Sequence, residues 1–211
     1  DMVADYTNFL PMLVIADQLG VPREHRPQFK KWSDDVAAAM DPITGLSHRA
    51  VGDKTAVEMF DYLRKMAELR KKDPRDDLLS LMVAAEADGD RLNMDELLST
   101  CMLLLFAGNE TTTGLMGNTI VALTENRDQI ELLREKPDLM TEAVEEFVRY
   151  ETPSHTMGRI LADDMEVGGT PMTKGTRVIC VLGAANRDPE IFEDPDILDV
   201  ERPEKRDHIA F

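Results

Sequence analysis

From Met94 to Glu125 the chain runs without a proline, and no other stretch limits so strongly what it can fold into. The acids Asp95 and Glu96 suit the positive N-terminal end of a helix, and the whole stretch reads as one helix of roughly 45 Å at 1.5 Å per residue. Its first half is apolar on most faces, through Leu103-Leu104-Leu105-Phe106, so it should run through the interior. Then Ala107-Gly108-Asn109-Glu110-Thr111-Thr112-Thr113-Gly114 sets glycine, an acid and three threonines in mid-helix. Gly costs roughly 1 kcal/mol against Ala there, and β-branched Thr loses rotamer freedom. A buried helix that breaks local rules usually does so for a site.

Helical patterns surround this one. Leu10, Leu13, Val14 and Ala16 fall at helical spacing within 1–20, ahead of the stop signals Gly20 and Pro22. Further helices are expected from Glu24 to Met40, closed by Asp41-Pro42, and from about Lys54 to Lys72, closed by Asp73-Pro74. Asp76 to Ala87 reads as another, then an Asp88-Gly89-Asp90 turn that lacks the remaining ligands of a calcium loop. Arg127 to Glu135 and Leu139 to Glu151 complete the helical part, at about 1–151.

Beyond it the period changes. Gly158 to Leu161, Met165 to Val167 and Thr176 to Leu182 read as short strands, with Gly168-Gly169 as a hairpin turn. After Leu182 the chain is irregular and rich in Pro and Asp. The fold class is mainly α with a small β portion, a β-hairpin and loop part occupying about 152–211.

Charge removes some functions. Lys+Arg 24 against Asp+Glu 41 gives a formal charge of -17, which opposes binding to nucleic acid or anionic lipid. No apolar run approaches the roughly 20 residues that span a bilayer, so no membrane association is expected. Cys101 and Cys180 sit in apolar runs without metal-ligand spacing and read as small core residues in a reducing, cytoplasmic setting.

Four places could carry chemistry. Glu110 beside Thr111 offers a carboxylate that exchanges protons with solvent and a hydroxyl that donates and accepts, which suits delivery of protons to a buried acceptor. The plainer reading has the threonines bonding to carbonyls one turn earlier and the glutamate in water. Glu146 and Arg149, three apart on one helix face, could pair, with Glu145 equally placed to do so, and spacing alone favours a surface contact. Arg159 lies in the apolar segment Gly158-Arg159-Ile160-Leu161 and either meets an anion or faces water. His155 and His208 each lack a second ligand or nucleophile nearby and read as loop histidines.

In this order the pieces resemble the cytochrome P-450 family of haem-thiolate monooxygenases, in its soluble bacterial form. Ala107-Gly108-Asn109-Glu110-Thr111 resembles the family's oxygen-activating motif, and Glu146-Phe147-Val148-Arg149 its E-x-x-R pair. Thr152-Pro153 with Gly158-Arg159-Ile160-Leu161 after it resembles the strand whose arginine meets a haem propionate. Asn186-Arg187-Asp188-Pro189 and Asp199-Val200-Glu201-Arg202 resemble the loop before the haem-binding segment, and His208-Ile209-Ala210-Phe211 the last residues ahead of it. Neither Cys101 nor Cys180 stands where the family has its iron ligand, and the chain is expected to be a fragment of a longer protein, without its N-terminal part and the Cys loop.

The resemblance implies a partial P-450 fold over 1–211, haem b as cofactor, and insertion of one oxygen atom into a small apolar substrate. Glu110 and Thr111 would deliver protons, Ala107, Gly108 and Arg159 would contact the haem, and Glu146, Arg149 and Arg202 would form a structural network. Ser154, His155 and Thr156 would line the substrate pocket. A ferredoxin and its reductase would supply electrons to a monomer, while the fragment alone would be inactive. The competing expectation is a haem-free helical ligand-binding or scaffold module.

Overall fold

The computed structural model describes residues 1–40, 45–87, 92–203 and 205–210. The expected helix stop at Asp41-Pro42 and the turn at Asp88-Gly89-Asp90 lie outside them. The chain forms two compact units, 1–113 and 114–211, that divide within one long helix.

The first unit opens with a π-helical turn, Val3–Thr7, and then α1, Leu10–Gln18, where a single helix over 1–20 was expected. Pro11 explains the break. It has no N–H to give to the Thr7 carbonyl one turn earlier, and that carbonyl instead accepts from Thr113 Oγ1 at 3.0 Å. The buried face also differs from the expected one: Met12, Ile15, Ala16 and Leu19 enter the core while Leu10, Leu13 and Val14 stay exposed.

A short 3-10 turn, Arg23–His25, leads into α2, Arg26–Met40, which packs along α3, Gly45–Lys72. The third helix starts well before Lys54. Gly52 lies within it and lets α2 come close, since a Cβ there would overlap the Ala39 side chain. Phe29, Trp32 and Tyr62 stack edge to face across the two helices, with ring centroids 5.4–5.7 Å apart.

The helix α4, Leu78–Ala87, is capped by Asp77, whose Oδ1 accepts from the Ser80 N–H at 2.8 Å. The same carboxylate takes Arg70 Nε of α3 at 2.7 Å, and Arg70 Nη2 reaches the Gly20 carbonyl at 3.1 Å. Both partners of this pair are 5% exposed. Gly20 has φ of +72°, and a Cβ on it would run into the Asp77 carboxylate, so the ion pair and the turn after α1 require each other.

The long helix, α5, is Met94–Glu125. Asn93 and Glu96 form a reciprocal cap, with Glu96 N–H to Asn93 Oδ1 at 3.0 Å and Asn93 N–H to Glu96 Oε2 at 2.8 Å. Leu97, Leu98, Cys101 and Leu105 bury themselves with Leu63, Ala67 and Leu79 as the core of the first unit.

The second unit packs α6, Arg127–Glu135, and α7, Met140–Tyr150, around Ala122, Leu133, Ala143, Phe147, Leu198 and Val200. Its strands are β1, Thr156–Ile160; β2, Met165–Val167; β3, Thr170–Met172; and β4, Arg177–Val181. β1 pairs antiparallel with β4, setting Arg159 opposite Val178, and β2 with β3 through Gly168 and Gly169, both at positive φ. Leu182, expected to end a strand, begins the short helix α8, Leu182–Ala185. Cys180 is exposed rather than a core residue, because a two-stranded ribbon has no second layer over it.

Gly20→Ala should cost about 3–5 kcal/mol, the range for breaking a buried ion pair, read by chemical denaturation of the whole chain. Burial pushes the Asp77 carboxyl up, but the hydrogen bonds from Ser80 and Arg70 outweigh it and hold the group below its ordinary value. The unfolded state therefore binds the extra proton in between. The Asp77 contribution should be complete above about pH 4 and lost as pH falls through the depressed folded value; Asp77→Asn should flatten that acid limb.

Candidate functional site

α5 stays helical through its glycines and threonines, and the polar side chains of the notch are put to different uses. Thr111 is half-buried and donates its hydroxyl to the Ala107 carbonyl at 2.7 Å, as the plainer sequence reading had it. The oxygen lone pairs remain open to a donor. Glu110 is exposed, with no hydrogen bond or ion pair to the described residues. Asn109 is buried and donates to Ser33 Oγ of α2 at 2.8 Å.

Leu103, Ala107 and Thr111, each four residues on from the last, lie on one side of α5, where Leu103 is 62% exposed and Ala107 is exposed too. A Cβ added at Gly108 would meet only Ile15, at an ordinary 3.9 Å. Crowding within the chain therefore does not call for that glycine. Burial pushes the Cys101 thiol up to about 11 and keeps it protonated in the core.

In the second unit one buried carboxylate organises the loop. Arg149 binds Glu146 with both prongs, Nε to Oε2 at 2.7 Å and Nη2 to Oε1 at 2.8 Å, and both side chains are 0% exposed. Arg202 Nε reaches the same Oε1 at 3.2 Å, and the Asp199 N–H donates to it at 3.0 Å. Glu145, the alternative partner on spacing, instead meets His208 Nε2 at 3.0 Å.

The remaining guanidinium hydrogens go to backbone. Arg149 donates to the carbonyls of Asn186, Pro195 and Ile197 at 2.8–3.2 Å. Arg202 donates to those of Glu193, Asp194 and Ile197. An irregular segment with no strand partner thus has its carbonyls satisfied by two arginines anchored on one acid.

Arg159 is exposed on β1, and its one hydrogen bond among the described residues goes to the neighbouring Gly158 carbonyl at 2.9 Å. Ser154 is half-buried, while His155 and Thr156 are exposed. His155 carries the turn into α8, its carbonyl accepting from the Gly183 N–H at 3.2 Å. Among the described residues no group of three or more His, Cys, Asp or Glu could hold a metal ion.

No separate role was expected for the side chains of Ser33, Asn109, Thr113 and Asn186, although the last three lie in stretches singled out above. A signal existed for Asn109, which continues Cys101 and Leu105 at four-residue steps along the apolar stripe. None existed for Asn186, whose Oδ1 accepts from the Ile209 N–H at 2.9 Å, because that contact joins two loops.

Glu146→Gln should cost about 3–5 kcal/mol, since it leaves two buried guanidiniums without a counter-charge. Thermal melting together with proteolysis within 186–202 checks this, and an unchanged cleavage pattern would mean that the loop holds without the acid.

A profile of the family described as Cytochrome P450 matches residues 2–210. Cytochrome P450 CYP107DY1 of Priestia megaterium is 40% identical over 212 residues, covering 100% of this chain and 50% of that protein. A steroid C26-monooxygenase of Mycobacterium tuberculosis is 36% identical over 211 residues, covering 100% and 56%. The crystal structure of P450BioI with an acyl carrier protein ligated to hexadec-9Z-enoic acid superposes with a TM-score of 0.92 at 36% identity, over 100% of this chain and 54% of that one. The chain spans about half the length of the curated relatives it matches.

Proposed function

This chain belongs to the cytochrome P450 family, and from that premise we propose that it supplies the proton-delivery helix and the loop scaffold of a haem-dependent monooxygenase. The observation that carries the reading is the pairing, on one continuous helix, of a half-buried Thr111 hydroxyl with the solvent-facing carboxylate of Glu110, which has no partner among the described residues.

The residues present fit haem b. A flat apolar group with two carboxylates needs an apolar face and a cation. Each unit taken by itself carries a group of the kind required: in the first the open side of α5 at Leu103 and Ala107 is apolar, and in the second Arg159 is a cation engaged among the described residues only by its neighbour's carbonyl. Gly108 keeps the helix slim beside that face. Haem, when bound to a thiolate, supplies reduction of dioxygen and transfer of one oxygen atom to substrate, the other leaving as water.

The chain's own groups manage protons around that chemistry. Ala107 accepts the Thr111 proton, which orients the hydroxyl and leaves its oxygen free to accept from water. Glu110 takes protons from solvent and passes them through water to the Thr111 oxygen; the hydroxyl turns its own proton away from the Ala107 carbonyl and gives it to the buried acceptor as each new one arrives. Arg159 would neutralise a propionate. Glu146, Arg149 and Arg202 hold 186–202 and touch no reacting atom.

Ser154, His155 and Thr156 line the substrate side. The substrate is a small apolar molecule; the chain's relatives include a steroid monooxygenase and a protein crystallised with a fatty-acyl carrier. Electrons come from a ferredoxin and its reductase. Among the described residues no helix is long and apolar enough to cross a membrane. The proposed enzyme is a cytoplasmic monomer.

In the haem-loaded enzyme carrying this chain, Thr111→Ala should retain haem and substrate binding. Product formation should fall by about 100-fold, the scale of a lost proton-transfer group, with reducing equivalents appearing as peroxide. Unchanged product per NADPH would overturn the assignment, and failure of the enzyme to take up haem would return the chain to a scaffold.

A further inference from the structure

Asn109, alone within 107–114, is buried. It is 5% exposed, its Nδ2 donates to Ser33 Oγ at 2.8 Å, and its Oδ1 meets no donor among the described residues. Turning the amide over moves the problem without solving it: Oδ1 would then accept from Ser33 and Nδ2 would be left unmet. A buried amide oxygen with no donor has lost its hydrogen bonds to water and gained nothing in return. A leucine would continue the stripe of Cys101 and Leu105 without that penalty.

Ser33 is the other half of the spot. It is 3% exposed, accepts from Asn109, and keeps its own hydroxyl proton to give. The two side chains, bonded to each other, therefore keep the Asn109 Oδ1 lone pairs and the Ser33 hydroxyl proton unspent, an acceptor and a donor that together supply two of the two to four partners an ordered water takes.

We propose that Asn109 and Ser33 hold one buried water between α2 and α5, and that this latch makes Asn109 a positioning residue for Glu110 and Thr111. The helix is weakest here, with Gly108 and Gly114 on either side and three threonines between. An inward anchor at Asn109 sets the rotation of α5 about its axis, and with it the outward aim of the next two residues. The consequence for catalysis rests on the proton-delivery reading, whereas the latch itself does not.

The test uses the chain without haem. The Asn109 side-chain amide protons should show cross-relaxation with a bound water, and the signal should vanish in Ser33→Ala. Ser33→Ala and Asn109→Leu should each raise amide exchange across α2 by about five- to thirty-fold, the change expected for a loss of this size. The double variant should rise no further than the larger single one, and Ser33→Thr, which keeps the hydroxyl, should restore the wild-type exchange. A dry amide, or an Asn109→Leu chain whose α2 exchange matches wild type, would overturn the latch whatever Thr111 does. Should Thr111→Ala instead leave product per NADPH unchanged, the proton reading fails and the water signal still decides the latch.

Discussion

The Glu146 carboxylate is balanced against two buried guanidiniums, and the irregular half of the second unit depends on that balance. Residues 186–202 make no ladder, yet their carbonyls cannot be left dry under Phe192, Leu198 and Val200. Arg149 and Arg202 supply the donors, and neither could stay buried without the acid that both share. A carboxylate on a regular helix thus transmits the order of α7 to a loop that has none of its own. Asn186 carries the order one step further, giving its carbonyl to Arg149 and its side chain to the Ile209 amide.

The first unit solves the opposite problem. Its helices are regular, and the difficulty is to bring them close and keep the notch of α5 intact. Glycine does the first at Gly52, where α2 needs the room a side chain would take, and at Gly20, where the turn must clear the Arg70–Asp77 pair. The second falls to hydroxyls and an amide. Thr113 takes the carbonyl that Pro11 frees, Asn109 holds Ser33, and Thr111 leans on its own helix. Glu110 and Thr112 are left to solvent, so the notch that lowers helix propensity is also what fixes the helix to its neighbours.

Much of this was legible in the chain, for reasons that differ by scale. Long apolar periodicity with end signals is a local property, and α5 and α6 begin and end where those signals stand. The start of α3 was placed at about Lys54, whereas the helix begins at Gly45 and carries Gly52 against Ala39, a contact made across two helices. The face of α1 was misjudged because its run of apolar residues offers more than one stripe. At the site, an E-x-x-R spacing is equally that of a surface pair, and only burial to 0% distinguishes the two.

By itself the sequence determined the order of the helices and hairpins, the acid and hydroxyl in mid-helix, the overall negative charge, and the motif order that marks the family. Each is set by neighbours within a turn or two, or by composition. The tertiary structure alone decided that Arg149 and Arg202 are buried on the same acid, that Cys180 is exposed, and that Thr113 takes the carbonyl Pro11 leaves free. Those outcomes depend on which faces are covered and on groups arriving from tens of residues away, and no local pattern encodes such arrivals.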